Sequence, residues 1–94
     1  MHQTPLGPAK LAKRATSFEP KAAKAFGVVV RAERLNKGFA QDEFALLSNI
    51  DRSYFGKLER GERQPSLALI LRISVGLGIS GAELIKRVEA AIKV

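Results

Sequence analysis

The chain has 94 residues, a length that suits one domain, and 46% of them are hydrophobic, which is enough for a packed core. It has no cysteine and its single histidine is His2, so the sequence predicts no disulfide, no metal site, no cofactor and no histidine general base. No apolar run reaches the roughly 18 residues of a membrane span and no signal-peptide core is present, so we expect a cytoplasmic protein.

The charge balance favours an anionic partner. Sixteen Lys and Arg residues stand against nine Asp and Glu residues, which gives a formal net charge of +7. Nucleic acid is the first candidate for this partner and a membrane surface the second, but a solvated basic surface explains the charge equally well. Charges of both signs are interspersed, as is typical of a folded surface.

A mildly basic arm, residues 1–19, precedes the predicted helices. Pro5, Gly7 and Pro8 interrupt regular structure in it, and two lysines and an arginine follow them. The arm is either a disordered tail or a segment that contacts the phosphates or the minor groove of DNA. Residues 20–94 are predicted to form the folded domain.

Two helices follow the arm. The first is predicted to begin near Pro20, with Ser17 or Glu19 as its cap, and to stop at Lys37–Gly38, where glycine can adopt the left-handed conformation. The second is predicted from about residue 41 to residue 47. The side chains expected to face inward from the two helices are Ala23, Phe26, Val29, Val30, Phe44, Ala45 and Leu47.

A sharp turn leads into a short third helix. Asn49 suits the corner because asparagine tolerates positive φ, and Ile50 is expected to fill the core from within the turn. The third helix is predicted over residues 52–60, with Asp51 as its N-cap and Gly61 after it. Phe55 and Leu58 are expected inside, and the predicted outward-facing residues are Arg52, Ser53, Gly56 and Lys57.

Two more helices complete the prediction. The fourth, over residues 67–77, is capped by Ser66 and is apolar over most of its surface, so we expect it to be the buried helix. The fifth, over about residues 81–92, is opened by a capping box of Ser80 and Glu83. No strand pattern competes with the helices. The sequence therefore predicts an all-α fold, a five-helix bundle with one core.

The ordered set of features resembles the helix-turn-helix DNA-binding domains of the phage-repressor and Cro type, the XRE family. The resemblance covers about residues 26–90. The residues that carry it are Phe26-Gly27, Arg31, Arg34, Lys37-Gly38-Phe39, Gln41, Phe44-Ala45, Ile50, Phe55, Leu58-Glu59-Arg60-Gly61, Pro65-Ser66, Leu77-Gly78-Ile79-Ser80 and Glu83-Leu84. It implies a lambda-repressor-like bundle that binds double-stranded DNA sequence-specifically as a homodimer. The implied function is that of a transcriptional regulator, most often a repressor, with the third helix in the major groove.

The resemblance also implies roles for individual residues. Gln41 falls where the family contacts a DNA phosphate and braces the recognition helix. Arg52, Ser53 and Lys57 fall where the family reads base edges, and Arg and Lys are the common donors to guanine. Tyr54 lies beside them, where it can meet a base or a phosphate.

Further residues are expected at the DNA backbone or in support of it. Arg60, Arg63 and the N–H groups near Ser66 are predicted to contact phosphates, with a solvated surface as the alternative for the two arginines. Arg34 and Glu59 match a partly buried ion pair of the family, which links the first helix to the end of the third.

Four residues depart from the family pattern, and Val28 and Val29 do so by being apolar where the family usually shows charge or polarity. Ala40 stands where the family often has a capping side chain, so the second helix is expected to start less well. Gly56 lies inside the third helix, where glycine costs about 1 kcal/mol relative to alanine. A glycine at this position is explained either by a close approach of the helix to DNA or by a need for a small residue.

The short reach of the third helix argues for a dimer on a palindromic or repeated site. The predicted dimer surface is the apolar stripe of the fifth helix with Val75 and Ile79. For Leu84, Ile85 and Val88 of that stripe, packing in the chain's own core is the favoured alternative, so Ile92 and Val94 are the better interface candidates. An antitoxin-type protein, which binds a toxin or other protein partner with the same fold, is the alternative function.

An enzyme is disfavoured, because the sequence offers no catalytic set of nucleophile, base or metal ligands. Asp42 and Glu43 are adjacent carboxylates, but neighbouring positions on a helix diverge. We expect no membrane partner.

Overall fold

The computed structural model describes residues 18–92. Five α-helices follow one another in this range, and they are α1 (Pro20–Asn36), α2 (Gln41–Leu47), α3 (Arg52–Glu59), α4 (Leu67–Leu77) and α5 (Gly81–Ile92). The predicted all-α, five-helix fold is confirmed, with boundaries within about one residue of those predicted. Most of the predicted arm, together with Ser17 and Val94, lies outside the described residues.

Four residues with positive φ make the turns between the helices. Asn49 has a φ of 55°, as its place at the predicted corner requires. Gly38, Gly61 and Gly78 have φ values of 81°, 75° and 74°, each just after a helix. A residue with a larger side chain is strained in this conformation, so these positions fix where three of the helices stop.

Side chains cap the N-termini of three helices, as predicted. Asp51, Ser66 and Ser80 each accept a hydrogen bond from the backbone N–H three residues later, at 3.0, 3.1 and 3.0 Å. Ala40 offers no such acceptor, but its own N–H donates to the Glu43 carboxylate at 2.8 Å. Half of a capping box therefore offsets part of the missing cap of α2.

The core is built around Phe44 of α2 and Phe55 of α3. Both are fully buried, and their ring centroids lie 5.2 Å apart. Phe39 packs its ring edgewise on Phe44 at 5.8 Å. The other fully buried large side chains come from all the remaining helices and from α3, and they are Val30, Leu58, Ile73, Leu77 and Leu84.

The prediction that the fourth helix is the buried one is wrong. The only residues that α4 buries are Ile73, Ser74 and Leu77. Leu67, Leu71 and Val75 are 70%, 49% and 79% exposed, and Leu47 of α2, which was expected inside, is 57% exposed. A helix that is apolar all round is usually buried, but α4 packs only one face on the core and its opposite apolar face points to solvent.

Close approach of α1 and α3 depends on Gly27. A Cβ at this position would lie 2.4 Å from the carbonyl oxygen of Glu59 and 2.6 Å from that of Leu58. Both are backbone atoms, so α3 would have to move away from α1. We expect Gly27→Ala to lower the free energy of unfolding by about 3 kcal/mol, at the upper end of overpacking costs.

Chemical denaturation followed by circular dichroism measures this loss. Val28→Ala is the matched control, because Val28 is the next residue of the same helix and is 63% exposed. Its effect is expected to stay within about 0.5 kcal/mol. Equal midpoints for the two variants would show that the helices have room to separate without cost.

Candidate nucleic-acid interface

Helices α2 and α3 form a helix-turn-helix. The turn between them is closed by Ile50, which is 8% exposed and packs into the core. The Asn49 carbonyl oxygen accepts a hydrogen bond at 3.1 Å from Nη1 of Arg72 on α4. Arg72 thereby ties the turn to the fourth helix.

A buried ion pair holds the end of α3 against α1. Nε and Nη2 of Arg34 donate to the two carboxylate oxygens of Glu59 at 2.7 and 2.9 Å, and Nη1 donates to the Phe39 carbonyl oxygen at 2.7 Å. The two side chains are only 5% and 1% exposed. The hydrogen bond to Glu59 raises the pKa of Arg34 above its ordinary value. The predicted pair is present, and its burial is nearly complete.

Gln41, the first residue of α2, joins this network. Its Nε2 donates to Oε1 of Glu59 at 2.9 Å. The start of α2 is thereby connected to the end of α3, which is the bracing role expected of this glutamine. Its contact with a DNA phosphate stays a prediction.

A polar cleft of about 440 Å³ opens between the start of α2 and the outer side of α3. The residues that line it are Gln41, Asp51, Arg52, Ser53, Gly56 and Arg60. Four of the predicted contact residues, Gln41, Arg52, Ser53 and Arg60, are therefore brought together on one side of the helix pair. Arg52 and Ser53 are exposed, as groups that meet a partner must be.

The other four predicted residues lie outside this cleft. Tyr54 is half-buried and packs against the core, and Lys57 is half-buried on α3. Nη1 of Arg63 donates to the Glu62 carbonyl oxygen at 2.9 Å. The Ser66 hydroxyl accepts from a backbone N–H as the cap of α4, so its side chain already has a structural role.

A helix-turn-helix family profile matches residues 30–84, which is more than half of the chain. The chain belongs to the XRE-type helix-turn-helix family of transcriptional regulators. The resemblance drawn from the sequence is thereby confirmed. It places this regulator in a class of DNA-binding proteins.

Controllers of restriction-modification systems are among the similar proteins. Control protein C.MunI of Mycoplasma sp is 37% identical over 65 residues, 68% of this chain and 88% of that protein. The crystal structure of the controller C.AhdI from Aeromonas hydrophila is 44% identical, with a TM-score of 0.64, over 66% of this chain and 94% of that one. The controller C.Esp1396I, a tetramer in complex with its natural 35 base-pair operator, is 28% identical with a TM-score of 0.72, over 79% and 97%.

An acidic residue in the regulator's α3–α4 loop pairs with one of the two arginines that are predicted to contact phosphates. Nε and Nη2 of Arg60 donate to the two carboxylate oxygens of Glu62 at 2.8 and 3.4 Å. The hydrogen bond from Arg60 lowers the pKa of the Glu62 carboxyl below its usual range. Sequence reasoning missed Glu62. The signal is the intervening Gly61, whose left-handed turn lets side chains two positions apart converge.

The regulator also presents an apolar surface that we call the α4 face, formed by Leu47, Leu71 and Val75. These residues line a groove of about 700 Å³ beside the turn of the helix-turn-helix. Leu84 and Val88 of the α5 stripe are buried within the regulator's own core, which was the favoured alternative for them. The largest exposed apolar side chains next to the helix-turn-helix belong to α2 and α4 instead.

Two further findings concern residues 18–92 of the regulator. This part of the chain contains no group of three or more His, Cys, Asp or Glu side chains that could hold a metal ion. It also contains no single helix that is long and apolar enough to cross a membrane, and α4 and α5, which reach that length and composition only together, are bent by 102°.

Proposed function

We propose that this protein binds double-stranded DNA sequence-specifically as a homodimer, with α3 in the major groove, and regulates transcription. Repression is the simplest output, because a bound protein blocks access to a promoter without any further contact. A cytoplasmic location fits this role and stays a prediction.

The observation that carries the proposal is the way α3 is held. Phe55, Leu58 and Glu59 are buried on its inner side, so the helix cannot rotate or shift without breaking the core. The exposed Arg52 and Ser53 occupy its first turn, the part of a recognition helix that reaches base edges. A cationic fork at this position suits the O6 and N7 acceptors of guanine.

The α4 face supports the homodimer. Three exposed apolar side chains that line one groove next to a binding element suit an interaction surface. A second copy is the occupant we propose, because the α4 face lies beside the turn that leads into α3, and a dimer is what places two recognition helices about one DNA turn, roughly 34 Å, apart. The tetrameric assembly of the similar controller C.Esp1396I on its operator is consistent with an oligomer.

An antitoxin-type role, in which a toxin or other protein partner binds the same fold, stays the alternative. Co-purification of a second small protein in a fixed ratio with the untagged regulator would favour it. The homodimer proposal expects a single species of twice the chain mass.

We expect Arg52→Ala and Lys57→Ala each to weaken binding to a duplex selected from random DNA by about 5- to 150-fold. This range corresponds to the free energy of about 1–3 kcal/mol that one specific base contact contributes. Binding to a scrambled duplex of the same length should change far less. Fluorescence polarisation measures both. Lys86→Ala on α5 is the control, because Lys86 is an exposed lysine away from α3. Equal losses on both duplexes would contradict a base-reading role for these residues.

A further inference from the structure

Gly56 has no conformational reason to be glycine. It lies in the middle of α3, and it is not among the glycines with positive φ. Glycine destabilises a helix interior relative to alanine, because it loses more backbone freedom on folding. Gly56 is nevertheless buried. The reason for a glycine at this position must therefore lie in what surrounds it.

The tips of two polar side chains lie where a side chain of residue 56 would begin. A Cβ there would be 3.1 Å from Nη1 of Arg60 and 3.3 Å from Oε1 of Gln41. Neither neighbour is a backbone atom or an apolar core atom. The space left by Gly56 is therefore filled by two of the side chains that line the polar cleft.

Each of these two side chains is hydrogen-bonded to a carboxylate. Glu59 accepts from Nε2 of Gln41 at 2.9 Å, and Glu59 is itself fixed by its buried pair with Arg34. Glu62 accepts from Nε and Nη2 of Arg60. These bonds leave the Nη1 end of the guanidinium over Gly56, beside the amide of Gln41. The Nη1 donor of Arg60, just after α3, and the amide oxygen of Gln41 on α2 thus meet over Gly56.

We propose that Gly56 is a positioning residue for DNA binding, whose missing side chain lets the Arg60 guanidinium lie beside the Gln41 amide and donate from there to a phosphate of the DNA backbone. The proposal rests on the proposed function. An arginine bond to phosphate is charge-assisted and directional, so its strength depends on where the guanidinium is held. The Asp51 carboxylate at the edge of the cleft is engaged by the backbone N–H of Tyr54 as the cap of α3.

The test is Gly56→Ala in the full chain, with folding and binding measured separately. Alanine favours the helix, and the atoms that it displaces are the ends of flexible side chains, so we expect an unchanged or higher Tm. Kd for the selected duplex should rise about tenfold. The slope of log Kd against log salt should flatten by about 0.9, the amount lost with one phosphate contact.

Two further variants separate positioning from packing. In an Arg60→Ala background, Gly56→Ala should cost much less than in the wild type, because one of its two neighbours is gone. Glu62→Ala should weaken DNA binding about threefold or more, although loss of a negative charge by itself strengthens binding to a polyanion. Glu89→Ala on α5 is the matched control, and only the bare charge effect is expected for it.

Several outcomes would overturn the proposal. If the Gly56→Ala variant keeps full DNA affinity, or if its Tm and its affinity fall together, Gly56 serves packing alone. Tighter DNA binding by Glu62→Ala would show that Glu62 only repels the duplex. If the wild type binds selected and scrambled duplexes equally, it is the proposed function that fails.

Discussion

Glu59→Ala is expected to lower the free energy of unfolding by about 3–5 kcal/mol, because it leaves the Arg34 guanidinium buried without its carboxylate. Arg34 is 5% exposed at its side chain, so water cannot replace the lost partner. Its remaining bond, to the Phe39 carbonyl oxygen, satisfies one donor of several. A domain of this size has a total stability of only about 4–11 kcal/mol. The variant should therefore be partly unfolded at 37 °C.

Urea denaturation of Glu59→Ala and Glu62→Ala side by side tests this prediction. Glu62 also pairs with an arginine, but the two side chains are 56% and 50% exposed. The loss there should be much smaller, because solvent screens an exposed pair. Equal losses for the two variants would contradict the role assigned to burial.

A double variant, Arg34→Leu with Glu59→Leu, extends the same argument. Replacement of both charged groups by apolar ones should recover much of the stability that the single variant loses. It should still weaken DNA binding, because Gln41 loses the acceptor that orients its amide. Full DNA affinity in a stable double variant would show that Gln41 needs no such support.

Val75→Glu is expected to abolish the homodimer and to raise Kd for a duplex with two half-sites at least about 100-fold. A dimer that binds both half-sites at once gains at least this much affinity over a monomer that binds one. Val75 is 79% exposed, so the substitution should leave the fold intact. A carboxylate there would have to lose its hydration inside an apolar interface, which is unfavourable. Binding to a single half-site should change less than about threefold.

Analytical ultracentrifugation gives the mass and polarisation gives Kd for the two duplexes. Val28→Glu is the matched control, since Val28 is also a largely exposed valine but lies on α1, away from the α4 face. It should remain dimeric. A dimeric Val75→Glu together with a monomeric Val28→Glu would move the interface to the first helix.

Features that depend on a few neighbouring residues were predictable from the sequence. The Asn49 corner, the glycines after the helices and the caps at Asp51 and Ser66 follow from the intrinsic preferences of those residue types. The prediction of a buried pair between Arg34 and Glu59 came from the family resemblance. Spacing alone does not identify partners 25 positions apart.

The error about α4 has a physical cause. A core and a protein interface both favour apolar side chains, so a helix that serves both is apolar all round. Composition could not tell these two uses apart, and it led to the prediction of a buried α4. The amphipathic pattern of α5 is explained by the core, where Leu84 and Val88 lie.

The roles of the small residues also lay beyond sequence reasoning. Gly27 and Gly56 both lie in helices, but a Cβ would meet backbone atoms at one and flexible polar tips at the other. The same substitution is therefore expected to destabilise the fold at Gly27 and to spare it at Gly56. Only the packing of α1, α2 and α3 distinguishes them.

Selection of bound duplexes from random DNA tests the central claim most directly, namely that α3 reads a sequence as part of a dimer. The wild type is predicted to enrich two related half-sites whose centres lie about one helical turn, roughly 34 Å, apart. Arg52→Ala is predicted to lose the preference at one position in each half-site and to keep the spacing. A pool that stays unenriched, or one that Arg52→Ala enriches identically, would contradict this reading of α3.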